Sequence, residues 1–200
     1  MTRTVEYFFT PVSPFTYLGH ERFLAIAGLH GVSIDVKPVD LGPVFAVSGG
    51  VPLKQRAPQR QAYRLVELGR WSKHLGLPLN LQPRHFPVPP ALASKLILAS
   101  LSQQGAVGAL KLTGALLRAV WAEERNIAES DTLAAIASEQ GFDAASLAER
   151  AAASDIGERY EALTQEAIDR QVFGAPTYIY RDEPFWGQDR LDFLDRALAK

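Results

Sequence analysis

The chain has 200 residues, 47% hydrophobic and 22% charged, with a net charge of −1 and no cysteine. That describes an ordinary soluble globular chain, one domain or one domain with an insertion, and gives no electrostatic case for nucleic acid or an anionic membrane. Without cysteine there is no disulfide, no thiolate of its own and no sulfur-bound metal.

The start of the chain does not read as a secretory signal. The apolar run after it is short, carries Glu6, and is cut by Pro11 and Pro14, so a cytoplasmic location is expected. No segment approaches the roughly 18 to 20 uninterrupted apolar residues of a membrane span, so no membrane partner is expected. Val5 to Phe9 is aromatic and β-branched and predicts a strand. Ser13-Pro14 then predicts a helix start, Ser as N-cap and Pro at the first helical position. The helix runs to Gly28 or Gly31. Alternation at Val32, Ile34 and Val36 predicts a second strand, giving a βαβ unit. Residues 42–58, rich in Gly and Pro, read as a loop.

From Pro58 to about Arg170 the pattern is helix after helix. One runs from Pro58 to Gly76. A rigid "PRHFPVPP" connector follows, then two helices separated near Gly105. Ser130 and Asp143 read as N-caps of two more helices, and Asp155 with Glu158 as a capping box. After Phe173-Gly174, Thr177 to Tyr180 and Pro184 to Trp186 read as a hairpin around Arg181-Asp182-Glu183, and a helix closes the chain. The segments are therefore 1–57 (β-α-β and loop), 58–170 (helical insertion) and 171–200 (β-β-α). The four histidines have no helical ligand spacing, so no metal site is expected.

This order is the thioredoxin topology, an α/β fold, with a large all-helical insertion. Ser13-Pro14-Phe15-Thr16 falls at the first strand-to-helix junction, where redox members of that fold carry Cys-x-x-Cys. Gly174-Ala175-Pro176-Thr177 opens the late strand, and Gly187-Gln188-Asp189-Arg190 reads as the start of the last helix, whose N–H groups suit a polar ligand. Dithiol chemistry is excluded, since both cysteine positions hold hydroxyl residues.

The motifs "SPFTYL" (13–18), "PVDL" (38–41), "RWSKHLGLPL" (70–79), "VFGAPTYIY" (172–180) and "FWGQDRLDFL" (185–194) span nearly the whole chain in order. With them the chain resembles the 2-hydroxychromene-2-carboxylate isomerases and kappa-class glutathione transferases, grouped with DsbA-like proteins, and looks more like the bacterial isomerase branch. The resemblance implies glutathione as cofactor and Ser13 as the residue whose hydroxyl holds its sulfur. It implies Ala175 and Pro176 as a backbone clamp on the cysteinyl part, and Gln188 and Asp189 at the γ-glutamyl end, with Gln188 where Ser is usual. Arg60, or more weakly Lys54, is implied for the glycyl carboxylate. A small aromatic substrate, a glutathione-assisted isomerisation and a homodimer follow in the same way.

Each residue also has a plainer reading. Ser13 alone is a helix cap, Pro176 a strand-start proline, Asp189 a first-turn acid, and Arg60 and Arg64 a solvated helix face. Trp71, Trp121 and Trp186 read as core or interface aromatics, with Trp186 and Tyr17 as candidates to line a substrate pocket. His20 and His85 read as structural or surface residues. The rival functions are a kappa-like transferase that consumes glutathione and a non-catalytic thioredoxin-fold binding module.

Overall fold

The computed structural model describes residues 3–200; Met1 and Thr2, the first residues of the segment read above for a signal, lie outside the described residues. The chain opens with β1 (Thr4–Phe9), α1 (Pro14–His30) and β2 (Ser33–Pro38). Five helices follow: α2 (Leu41–Ser48), α3 (Pro58–Leu75), α4 (Ala91–Trp121), α5 (Ser130–Glu139) and α6 (Ala144–Ala152). Then come α7 (Ser154–Asp169), β3 (Thr177–Tyr180), β4 (Glu183–Trp186) and α8 (Leu191–Leu198). The sheet runs β2-β1-β3-β4, with β1 and β2 parallel and the other pairs antiparallel. This is the expected α/β thioredoxin-like core with helices inserted between β2 and β3. Among the described residues no helix is long and apolar enough to cross a membrane.

β1 is central, and its two faces feed two cores. Val5, Tyr7 and Phe9 join α1, α4 and α8 in the larger one, where Tyr7 stacks on its register partner Tyr178 at 5.3 Å. Phe8 and Ile179 face the other way, against Val44 of α2 and Ile156, Tyr160 and Leu163 of α7. This alternation is the period-2 geometry of a strand buried on both sides.

Local signals place most boundaries. Ser13 caps α1 by accepting the Thr16 N–H at 3.2 Å, and Pro14 takes the first helical position. Gly105 interrupts α4 with φ 67°, ψ −169°, a conformation only glycine adopts readily. The hairpin turns on Arg181 and Asp182, both at positive φ, the twist a two-residue turn requires.

Four expectations need correction. Residues 42–58 are not all loop: α2 forms there because the Asp40 carboxylate accepts the Gly42 N–H at 2.8 Å, and Pro43 sits in the first turn, where its missing N–H costs little. A 3-10 turn (Leu53–Gln55) follows it. Ser130 is inside α5 rather than its cap, which is Glu129. Asp155 lies within α7, and its carboxylate takes two N–H bonds from Arg150 instead of closing a capping box. Finally, Gln188–Arg190 is a separate 3-10 turn, and α8 starts only at Leu191. The anion-binding argument from a long helix's N-terminus therefore does not apply at that turn.

Candidate active site

Strand register brings three distant segments together. Phe8 pairs with Thr177 and Thr177 with Trp186, so the exit of β1, the entry to β3 and the exit of β4 share one end of the sheet. The Ala175-Pro176 peptide bond is cis. The Pro176 carbonyl accepts the Gly187 N–H at 2.8 Å, tying the β3 entry to the 188–190 turn. Gly174 leaves room for the Trp186 indole, since a Cβ there would lie 2.5 Å from its Nε1.

Ser13 stands at the meeting point. Its hydroxyl oxygen accepts from Thr16, and its O–H points to the Ala175 carbonyl at 3.3 Å. That second contact is long for an O–H···O bond, whose usual length is about 2.7–2.8 Å. The cap uses an oxygen lone pair, so the proton can rotate to a stronger acceptor at small cost. Thr16, three residues further on, is fully buried.

Beside this junction lies a cleft of about 500 Å³. One wall is Ala175, Trp186 and the 187–190 turn. The other is a face of α3, where Arg60, Arg64, Glu67 and Trp71 follow at helical spacing, with Tyr63 between. Arg56, just before α3, also lines it. Among the described residues none of Arg56, Arg60 and Arg64 pairs with a carboxylate. Burial and the nearby Arg60 charge lower the pKa of Arg56. Burial and the Arg56 charge lower Arg64 to about 10. The Arg64 guanidinium lies over the rings of Phe86 and Trp121, at 5.3 and 5.7 Å.

Of the residues singled out from the sequence, Arg60, Ala175, Gln188 and Asp189 line this cleft. Ser13 sits behind Ala175, mostly buried, and Pro176 is buried beside it. Lys54 does not line the cleft; it is exposed on the 3-10 turn before α3. Asp189 is exposed and pairs with its neighbour Arg190 at 2.8 Å. Gln188 is buried: its Oε1 accepts from Arg22 of α1 at 3.0 Å, while its Nε2 has no partner among the described residues.

Several residues here escaped the sequence reading. Arg64 is half-buried on the cleft wall, not on a solvated face. Arg22 anchors Gln188 from 166 positions away. The spacing of Arg60, Arg64, Glu67 and Trp71 was the visible sign that one face of α3 carries both charge and aromatic surface. Tyr17 does not line the cleft; its O–H donates to the Pro78 carbonyl at 2.8 Å. Trp121 is core and Trp186 cleft wall. His20 is structural. Its Nε2–H donates to the Leu110 carbonyl at 3.0 Å, so Nδ1 accepts from the Tyr7 O–H at 3.2 Å.

Comparison with known proteins agrees with this architecture. Residues 4–199 match the DSBA-like thioredoxin domain family. The 2-hydroxychromene-2-carboxylate isomerase of Pseudomonas putida is 32% identical over 98% of this chain and 94% of its own. Human glutathione S-transferase kappa 1 is 22% identical over 100% of this chain and 92% of its own. A solved structure of a 2-hydroxychromene-2-carboxylate isomerase superposes with a TM-score of 0.82 at 29% identity, covering 98% of this chain and 94% of that one. The chain therefore belongs to the DSBA-like thioredoxin domain family, within the group of the 2-hydroxychromene-2-carboxylate isomerases.

Proposed function

We propose that this protein is a glutathione-dependent isomerase that acts on a small aromatic carboxylate of the hydroxychromene type. The observation that carries the reading is the Ser13 hydroxyl, held at the start of α1 and against the Ala175 carbonyl, beside a cleft where Arg56, Arg60 and Arg64 have no carboxylate partner among the described residues. Bacterial relatives above 30% identity are named for this isomerisation. A chain without cysteine also needs an external thiol for such chemistry.

The cleft fits glutathione on its own evidence. Four arginines line it against two carboxylates, Glu67 and Asp189, a balance suited to an anionic ligand. The buried Gln188 Nε2 offers a donor with no partner among the described residues. In this reading Ser13 donates its O–H to the glutathione sulfur, and the first turn of α1 favours the anion there. Ala175 and Pro176 present backbone to the cysteinyl part. Asp189 takes the ammonium and Gln188 the carboxylate of the γ-glutamyl end. Arg60 takes the glycyl carboxylate. When bound, glutathione supplies a reversible thiolate nucleophile that releases a conjugated double bond for rotation. Residues 58–170 act as the insertion that walls the substrate site. A cytoplasmic location, where reduced glutathione is available, and a homodimer complete the reading.

Isothermal titration with reduced glutathione tests it, with S-methylglutathione as comparator. Binding that weakens on methylation is expected. No binding at millimolar glutathione overturns the proposal.

A further inference from the structure

Arg64 is not accounted for by the glutathione reading. It lies four positions beyond Arg60, about 6 Å further along α3 at a rise of 1.5 Å per residue. Arg60 is exposed near the start of the helix, whereas Arg64 is half-buried. Its guanidinium is backed by Phe86 of the connector and Trp121 at the end of α4, at 5.3 and 5.7 Å from their ring centres. No described carboxylate or hydrogen-bond acceptor meets it. The one acid near it on the same face, Glu67, is already bonded to Arg70 at 2.8 Å. A guanidinium withdrawn from water without a counterion is costly, and the aromatic faces offset only part of that cost. A fork of unused N–H donors is matched in geometry by a planar carboxylate. Trp71, two helical turns further on, and Tyr63 and Phe15 place aromatic surface on the same cleft.

We propose that Arg64 is the specificity-determining residue for the organic substrate: it receives the carboxylate of a planar aromatic acid whose ring lies against Trp71 and its neighbours. This rests on the isomerase reading for the identity of the acid and gives glutathione and substrate separate anion subsites, at Arg60 and Arg64.

The test uses chromone-2-carboxylate, a planar unreactive acid, and its neutral carboxamide, each titrated into the full chain without glutathione. The wild type should bind the carboxylate at least about tenfold more tightly than the carboxamide, the worth of one charge-assisted bidentate contact. In Arg64→Met that preference should fall to within about twofold, while glutathione affinity changes by less than about threefold. Arg64→Lys should keep part of the preference, since it keeps the charge and loses the fork. A wild type that does not distinguish acid from amide overturns the assignment, and that comparison needs no variant to fold. So does an Arg64→Met protein that loses glutathione as severely as it loses the acid. If the wild type prefers the acid yet binds no glutathione, the cofactor reading fails and the Arg64 assignment stands.

Discussion

Lys37 and Arg64 are both cations drawn out of water, and the fold treats them in opposite ways. The Lys37 side chain, only 7% exposed, lies on β2 with its ammonium within 3.1 Å of Glu6 and of Asp35 and 2.5 Å of Glu166. Burial pulls its pKa down, but those three carboxylates outweigh burial and the net shift is upward. Arg170 extends the same network to Glu6 and Asp182, at 2.7 and 2.8 Å. On the cleft wall Arg64 lies against aromatic rings with no carboxylate paired to it among the described residues, and burial and the Arg56 charge shift its pKa down. The first cluster is closed: its charges are spent on one another and tie the sheet to α7. The second is open, and its missing counterion is the reason to read it as a site. Burial of charge alone does not mark function; burial of charge left unpaired does.

That contrast can be broken experimentally. The largest effect should come from Lys37→Met, which strands Asp35 and Glu166 beside an apolar side chain and leaves Glu6 only Arg170. It should cost about 3 kcal/mol of stability, measured by urea denaturation, with glutathione affinity unchanged where the protein is folded. A loss below about 1 kcal/mol would mean that the closed network is as dispensable as a surface ion pair.

Next is Ser13→Ala, on the cleft side. Isomerase kcat/KM should fall about a hundredfold, the usual loss for one preorganised donor to a developing or bound anion. Stability should fall by about 1 kcal/mol, since the helix cap goes too. A variant that lost the cap's stability but kept its rate would confine Ser13 to capping.

Arg60→Ala should behave unlike Lys37→Met, because it removes a cation with no carboxylate partner among the described residues. Glutathione should bind about tenfold more weakly, by calorimetry, for the loss of one charged hydrogen bond. The melting temperature should hold or rise slightly, as Arg56 is freed from a like charge. A fall of several degrees would show that Arg60 has a structural partner.

The smallest effect concerns His20, a third solution, in which a buried group is kept neutral. Desolvation lowers its pKa, only partly countered by the hydrogen bond to Leu110 and the charge of Glu21. The unfolded chain takes up this proton near pH ~6.5 and the folded chain only below that. The contribution is therefore complete above about pH 6.5 and is lost as the pH falls toward the folded value. His20→Gln keeps one amide on that path, and its melting temperature should fall less steeply than the wild type's between pH 7 and 5. Parallel slopes would show that His20 does not carry this dependence.

Much of the fold was legible because its signals are local. Ser13-Pro14 names a helix start, Gly105 a helix break, and Asp143 a cap, which accepts the Ser146 N–H at 3.1 Å. The thioredoxin order follows from counting such elements. The misreadings came where two local readings competed. Gly and Pro in 42–58 read as loop, while Asp40 and Gly49 framed a helix around them. Asp155 looked like a cap, but Arg150 claimed its carboxylate.

The candidate site was legible as three motifs but not as a place. Ser13 left a local mark as a helix cap, whereas Ala175 and Gln188 were named through the family motifs around them, and the turn at 188–190 was read as the start of the last helix. Which cations would face them was not written there. Whether Arg60 and Arg64 reach the cleft depends on which face α3 turns toward α1, and that is set by Leu68 packing into the core and by Trp71 beside it. Arg22 holding Gln188 depends likewise on α1 docking beside the β4 exit. Chain-local chemistry determined the elements and the hydroxyl at the junction. Only tertiary packing decided which charges were paired and which were left open, because desolvation is a property of the assembled surroundings and not of the residue.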